Sequence, residues 1–197
     1  MGRPAKYTED QILDSALAAM AAGGDPGTTT VAAIAAGLGA PIGSIYHRFA
    51  SRELLLAHLW TRTVREFQHG FLAALTDDDL DTAADDAALH VVRWSREHLP
   101  QAQLLVLHRR EALAARWPEG LGGQLAELNK SVESALKDYA RWRYGRAGAA
   151  EQQRVVFALV DVPAAAVRRF LLKGLPPPPS VEHLVTAASR CVLAARP

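Results

Sequence analysis

The sequence predicts an all-α fold, and three observations predict it. Apolar residues recur at three- and four-residue spacing along almost every segment, beginning with Ile12, Leu13, Ala16, Leu17 and Met20. No segment alternates apolar and polar residues as a half-buried strand does. The stripes are also bracketed by helix signals, with Thr8, Thr30 and Ser51 ahead of them and Gly23-Gly24, Gly145 and the GLPPPP of 174–179 behind. With 49% hydrophobic and 22% charged residues over 197 positions, the chain can bury a sizeable core.

Element by element, Thr8 and Gln11 form a capping box that opens the first helix, which Gly23-Gly24 ends. Thr30 caps a short second helix holding Val31, Ile34 and Ala35. Ser51 opens a long helix through Leu54, Leu55, His58, Leu59, Arg62, Glu66 and His69. The acidic run Asp77-Asp78-Asp79 suits the start of the next helix, where carboxylates favour the positive end of the dipole. That helix carries Ala84, Ala88, Val91, Val92, Ser95 and Leu99 to Pro100. Further stripes run through Leu104, Leu105, Leu107, His108 and Leu113 to Trp117-Pro118, and from Leu121 to Tyr139, stopping at Gly145. Ala149 to Lys173 reads as one helix kinked at Pro163, which frees the carbonyl of Leu159. The prolines then lead to a last helix from Ser180 to Ala195.

Composition excludes several classes. The formal charge is +1, and within residues 1–62 Arg3, Lys6, Arg48, Arg52 and Arg62 are offset by Glu9, Asp10, Asp14, Asp25 and Glu53, so any nucleic-acid site rests on local placement of charge. One cysteine, Cys191, rules out an intrachain disulfide framework and points to a reducing compartment. The uncharged stretch Pro26 to Tyr46 is too rich in threonine, glycine and proline to span a membrane, and Glu9 and Asp10 ahead of the first apolar run do not fit a secretory signal. A cytoplasmic, soluble protein is expected.

The stretch IAAGLGAPIGSIYHRF at 34–49 contains GLGAPIG, which suits either a phosphate loop or the bend of a helix-turn-helix. A phosphate loop needs a preceding strand in a parallel sheet, and no strands are predicted. The helix-turn-helix explains more. Ala35 permits a close helix crossing, Gly39 supplies a left-handed turn residue, Pro41 suits a first helical turn, and Ile45 anchors the second helix inward. Gly37 then ends the first helix of the pair.

With the residues TTTVAAIAAGLGAPIGSIYHRFASRELL of 28–55 in view, the chain resembles the tetracycline-repressor (TetR) family of bacterial transcription regulators. The Tyr46-x-x-Phe49 pair, the Ser51-Arg52 helix start and Ile34-Ala35 fall at the family's spacings. The resemblance implies an N-terminal three-helix helix-turn-helix DNA-binding domain over 1–50, a connecting helix over 51–75, and a larger helical ligand-binding and dimerisation domain over 76–197. It further implies a homodimeric repressor of a near-palindromic double-stranded DNA operator, released when a small-molecule effector moves the fourth helix.

Residue roles follow from the same resemblance. Pro41, Ile42, Gly43 and Ser44 begin the recognition helix, with Ile42 and Ser44 facing bases. Tyr46 and His47 meet phosphate, and Thr30, Arg48 and Arg52 add further phosphate contacts, while Arg3 and Lys6 reach a minor groove or a flanking phosphate. Pro41 where the family has a polar cap, and Arg48 where it has histidine, are departures. A dimeric four-helix bundle is expected from Val155, Leu159, Val162, Val167 and Leu171 with Leu184, Val185, Ala188 and Val192. Pocket candidates are Trp94, His108, Trp117, Tyr139, Trp142, Phe157 and Asp161, each of which also fits ordinary packing or a polar helix face.

An enzyme is not expected. Glu66-x-x-His69 lacks the second pair and extra glutamates of a di-iron bundle, and His90, His98 and His108 do not share a face, so neither metal nor cofactor is predicted. A DNA-binding regulator controlled by a partner protein remains the alternative.

Overall fold

The computed structural model describes residues 7–23, 29–107 and 127–195. Every regular element among them is helical. In chain order these are α1 (Glu9–Gly23), α2 (Val31–Leu38), α3 (Ile42–Tyr46), α4 (Arg52–Ala74), α5 (Leu80–Glu97), α6 (Leu99–Leu107), α7 (Lys130–Tyr144), α8 (Ala149–Val156), a π-helical turn (Phe157–Asp161), α9 (Val162–Leu171) and α10 (Ser180–Ala194). The all-α expectation is borne out. The stripe from Leu104 to Trp117 is described only as far as Leu107, and Gly24, His108, Trp117 and Leu121 lie outside the described residues.

The caps form where the sequence places them. The Gln11 amide N–H donates to Thr8 Oγ1 at 3.2 Å and the Thr8 amide N–H to Gln11 Oε1 at 2.9 Å, closing the capping box of α1. Thr30, Ser51 and Asp79 each accept from the amide three residues on, at 3.1, 3.1 and 2.7 Å. The Thr82 amide and hydroxyl hold the Asp79 carboxyl below its ordinary pKa. Pro41 offers α3 no side-chain cap.

Two hydrophobic clusters divide the interior. The smaller gathers Ile12, Leu13, Ile34, Ile45, Phe49 and Leu59 from α1 to α4, with Leu104 of α6. The larger is built on α5, with Val92, Tyr139, Leu159, Leu171 and Val185 at its centre and Phe71 as the buried contribution of α4. Both α4 and α6 contribute to the two clusters, α6 through Ala102 in the larger and Leu104 in the smaller. The N-terminal half of α4 is pinned to α1 by Arg62, which meets Asp14 at 2.7 Å, Asp10 at 3.3 Å and, at the non-bonding distance of 3.7 Å, Glu66. Its C-terminal half crosses α5 at Gly70, where an added Cβ would lie 2.3 Å from His90 Cε1. His90 Nε2 sits 2.9 Å from the Phe67 carbonyl, which can only accept, so the proton is on Nε2. Burial lowers the His90 pKa, against the opposing effect of that bond.

Gly70→Ala should therefore displace the ring and destabilise the fold by about 1–3 kcal/mol. Adding His90→Ala should recover part of the loss in a double-mutant cycle read by urea denaturation. Additive losses would mean that the two positions do not share one notch.

The helix from Ala149 onwards departs from expectation. Just before Pro163 it opens into the π turn, where the Val162 N–H bonds the Phe157 carbonyl five residues back. Proline has no N–H to continue this pattern, so the carbonyl five residues before Pro163 is orphaned. The Ala158 carbonyl is thus freed beside the Leu159 carbonyl that an unbroken α-helix would leave. Ser189 of α10, buried at 1% exposure, donates its hydroxyl to the Ala158 carbonyl at 2.8 Å. Removing this partner with Ser189→Ala should cost about 1–3 kcal/mol. An unchanged denaturation midpoint would show that the carbonyl has another partner.

Gly37 does not end α2 as expected. The helix continues to Leu38, and Gly39, at φ 64°, supplies the left-handed stop. Gly37 instead admits Ser15 of α1, whose Oγ lies 2.9 Å from where a Cβ would stand and donates to the Ile34 carbonyl at 2.8 Å.

Candidate nucleic-acid interface

The short helix α3 is held from beneath and bare above. Ile45 is 1% exposed and Phe49, just past the helix, 2%; Phe49 also meets the His58 ring edge to face at 5.4 Å. One helical turn apart on the opposite side, Ile42 and Tyr46 are 47% and 51% exposed. Exposed large hydrophobic side chains at four-residue spacing on so short a helix form a ridge, not a core face. Pro41, Gly43, His47 and Arg48 are exposed around this ridge, and Ser44 is half-buried. Nothing stands within 4 Å of the open side of Gly43.

Beside the ridge is an open hollow lined by Thr29, Thr30, Val31, Ala32, Ile42, Tyr46 and Arg52. It joins the N-terminus of α2, the outer edge of α3 and the N-terminus of α4, bringing Thr30, Tyr46 and Arg52 together. The Thr30 hydroxyl accepts the Ala33 N–H as an N-cap and retains its own proton to donate outward. Amides at a helix start, a hydroxyl donor and a phenol around one hollow suit an anionic oxygen. Arg52 is turned differently from expectation, since its Nε donates to the Thr29 carbonyl at 2.6 Å.

Two contributors were not singled out in the sequence. Thr29 is buried, and its hydroxyl has no hydrogen-bond partner among the described residues. Tyr7 donates its hydroxyl to the carbonyl of Gly39, the turn residue, at 2.8 Å, fixing the start of the described chain beside the bend. The run Thr28-Thr29-Thr30 was the available signal for the first; a tyrosine two residues before the α1 helix gave none for the second. Arg3 and Lys6 lie outside the described residues.

The pocket candidates do not converge. Trp94 and Tyr139 are in the larger buried cluster, where the Tyr139 hydroxyl donates to the Leu80 carbonyl at 2.9 Å and burial pushes its pKa up to about 12. Phe157 is 51% exposed, Trp142 63%, and Asp161 is exposed, so these face away from that cluster. His108 and Trp117 are outside the described residues.

The expected bundle residues need correction. Val155, Leu159, Val167, Leu171 and Val185 are all at or below 3% exposure within the single chain and cannot also meet a partner. Each of these amphipathic helices has its most apolar stripe turned inward, and that stripe was the one read as an interface. Val162 and Val192 are half-buried, while Leu184 and Ala188 are exposed. Other large apolar side chains of these C-terminal elements, Val156, Phe157, Leu172, Leu175 and Leu184, are exposed.

Among the described residues no three or more His, Cys, Asp or Glu are placed to hold a metal ion, and no helix is long and apolar enough to cross a membrane.

Comparison with known proteins agrees with this architecture. The sequence model of the family described as bacterial regulatory proteins, tetR family, matches residues 12–59. Similar folds are found in the fatty acid degradation regulator FadR from Bacillus halodurans (TM-score 0.71, 16% identity, 96% of this chain and 100% of that one). FadR from Bacillus subtilis in complex with stearoyl-CoA is also similar (0.72, 13%, 96% and 100%), as is a transcriptional regulator from Rhodococcus sp. Rha1 (0.66, 16%, 97% and 100%). A protein of Mycobacterium sp. (strain JLS) named prephenate dehydratase is 34% identical over 144 residues, covering 73% of this chain. The chain spans only 38% of that relative's length, so the match is to a part of it. Over residues 12–59 the sequence is similar to the tetR family of bacterial regulatory proteins, and over nearly the whole chain the fold is similar to that of the regulators named above.

Proposed function

We propose that the protein is a homodimeric transcriptional repressor that grips a near-palindromic operator and releases it when a small-molecule effector binds. The observation that carries the DNA reading is the bare ridge of Ile42 and Tyr46 beside a hollow rimmed by the start of α2. In this reading residues 1–50 bind DNA, 51–75 connect, and 76–197 bind effector and partner, in the cytoplasm. Ile42, Gly43 and Ser44 meet base edges, and Tyr46, His47, Arg48 and the Thr30 seat meet phosphates. Arg3 and Lys6 are assigned to a minor groove or a flanking phosphate by the family resemblance.

Two chains are needed because a five-residue recognition helix spans too few base pairs to be specific alone. The exposed apolar side chains of Phe157, Leu172 and Leu184 are those we assign to the partner, in place of the buried stripe. For the effector, the stearoyl-CoA held by Bacillus subtilis FadR makes long-chain acyl-CoA thioesters the first class to test. Prephenate is the second, because of the name of the mycobacterial relative.

Selection of genomic DNA fragments by the purified protein at near-physiological salt tests the core of this reading. Enrichment of one near-palindromic site is expected. On that site Tyr46→Phe should weaken binding about uniformly across sequence variants, since phosphate contacts carry no base information, whereas Ser44→Ala should change the preference at one base. A base-specific effect of Tyr46→Phe, or no enrichment by a folded dimer, would overturn it.

A further inference from the structure

Arg52 stands where the family resemblance implies a phosphate contact, yet its guanidinium is turned inward. Its Nε donates to the Thr29 carbonyl at 2.6 Å, across 23 residues of chain, and its Nη1 lies 3.8 Å from the Glu53 carboxylate. The side chain is 27% exposed. To meet a phosphate it would give up a short charge-assisted bond and bring a carboxylate towards an anion. The Thr29 carbonyl belongs to the residue just before the Thr30 cap, so its position sets where the first amides of α2 point. Among the described residues the Thr29 hydroxyl has no hydrogen-bond partner.

We propose that Arg52 is a positioning residue: its bond to the Thr29 carbonyl fixes the phosphate seat at the start of α2 to the start of α4, and Arg52 does not itself neutralise a DNA phosphate. This rests on the DNA reading above. It makes the α2 seat an appendage of α4, so the seat follows α4 whenever α4 moves.

The test compares full-length wild type with Arg52→Gln in two measurements. The first is amide hydrogen exchange without DNA at Ala33 and Ile34, whose N–H groups bond Thr30 Oγ1 and the Thr30 carbonyl at 3.1 Å each. Exchange there should rise several-fold in Arg52→Gln. The second is operator affinity against salt. Binding should weaken about ten-fold with the slope of log affinity on log salt unchanged, where loss of a direct phosphate contact lowers that slope by about 0.9. Adding Thr30→Ala should weaken binding little further, because both changes act on one seat.

Unchanged exchange at Ala33 and Ile34, or a slope lowered by one contact, overturns the assignment. Because exchange is read without DNA, a wild-type protein that binds no operator counts against the DNA reading alone.

Discussion

Replacing Phe49 with alanine is expected to cost about 3–5 kcal/mol and to abolish operator binding while the C-terminal helices stay folded. Phe49 is 2% exposed at the centre of the smaller cluster, against Ile12, Ile34 and Ile45 and across from the His58 ring. That cluster is small, so a loss of this size removes most of what holds α1 to α3 on α4. The larger cluster draws on different side chains, with Phe67, Phe71 and Ala74 from the C-terminal part of α4 and none from α1 to α3. Hydrogen exchange should show Ile34 and Ile45 losing protection while Val92 and Leu159 keep theirs. Protection falling together at all four would mean that the two cores melt as one, and the separation drawn here would be wrong.

The second large effect is expected at Leu184→Glu. Leu184 is 61% exposed on α10, while its neighbour Val185 is 1% exposed and faces the core. A charge at Leu184 should leave the protomer's stability within about 0.5 kcal/mol, as at most surface sites. If that face meets a second copy, two glutamates would be buried against apolar surface, and the dimer should dissociate. Operator affinity should then fall by about 100-fold or more, since the second half-site is no longer delivered by the same particle. Sedimentation equilibrium reads the mass directly. A Leu184→Glu protein that remains dimeric would place the interface elsewhere on the molecule.

The sequence-level reading succeeded where one local rule decides the outcome. Capping side chains at Thr8, Thr30, Ser51 and Asp79 fix helix starts by hydrogen bonds of three-residue reach, and Gly39 is the left-handed stop because a side chain there is strained. It failed where two surfaces of one helix compete. Val155, Leu159 and Leu171 carry a strong stripe, but periodicity shows only that a stripe exists and not whether its own chain or a partner covers it. Pro163 removes a backbone donor, but the π turn that also leaves the Ala158 carbonyl to Ser189 depends on tertiary packing. Arg52 sits at a matching position, but the direction of its guanidinium is set by Thr29, 23 residues earlier. Tertiary hydrogen bonds of that kind leave no trace in spacing.

The helix α4 has 23 residues and so extends about 34 Å at about 1.5 Å per residue. It is seated at its start by Arg52, near its middle by Arg62 and towards its far end by the Gly70–His90 notch. A rod of that length works as a lever. If its far end pivots by only about 5 degrees, its near end sweeps about 3 Å, roughly the whole length of a hydrogen bond. A rearrangement too small to disturb packing around His90 is therefore large enough to carry a phosphate seat off its phosphate. In the proposed function, mechanical advantage of this kind would let effector binding be felt at the DNA without reorganising the core.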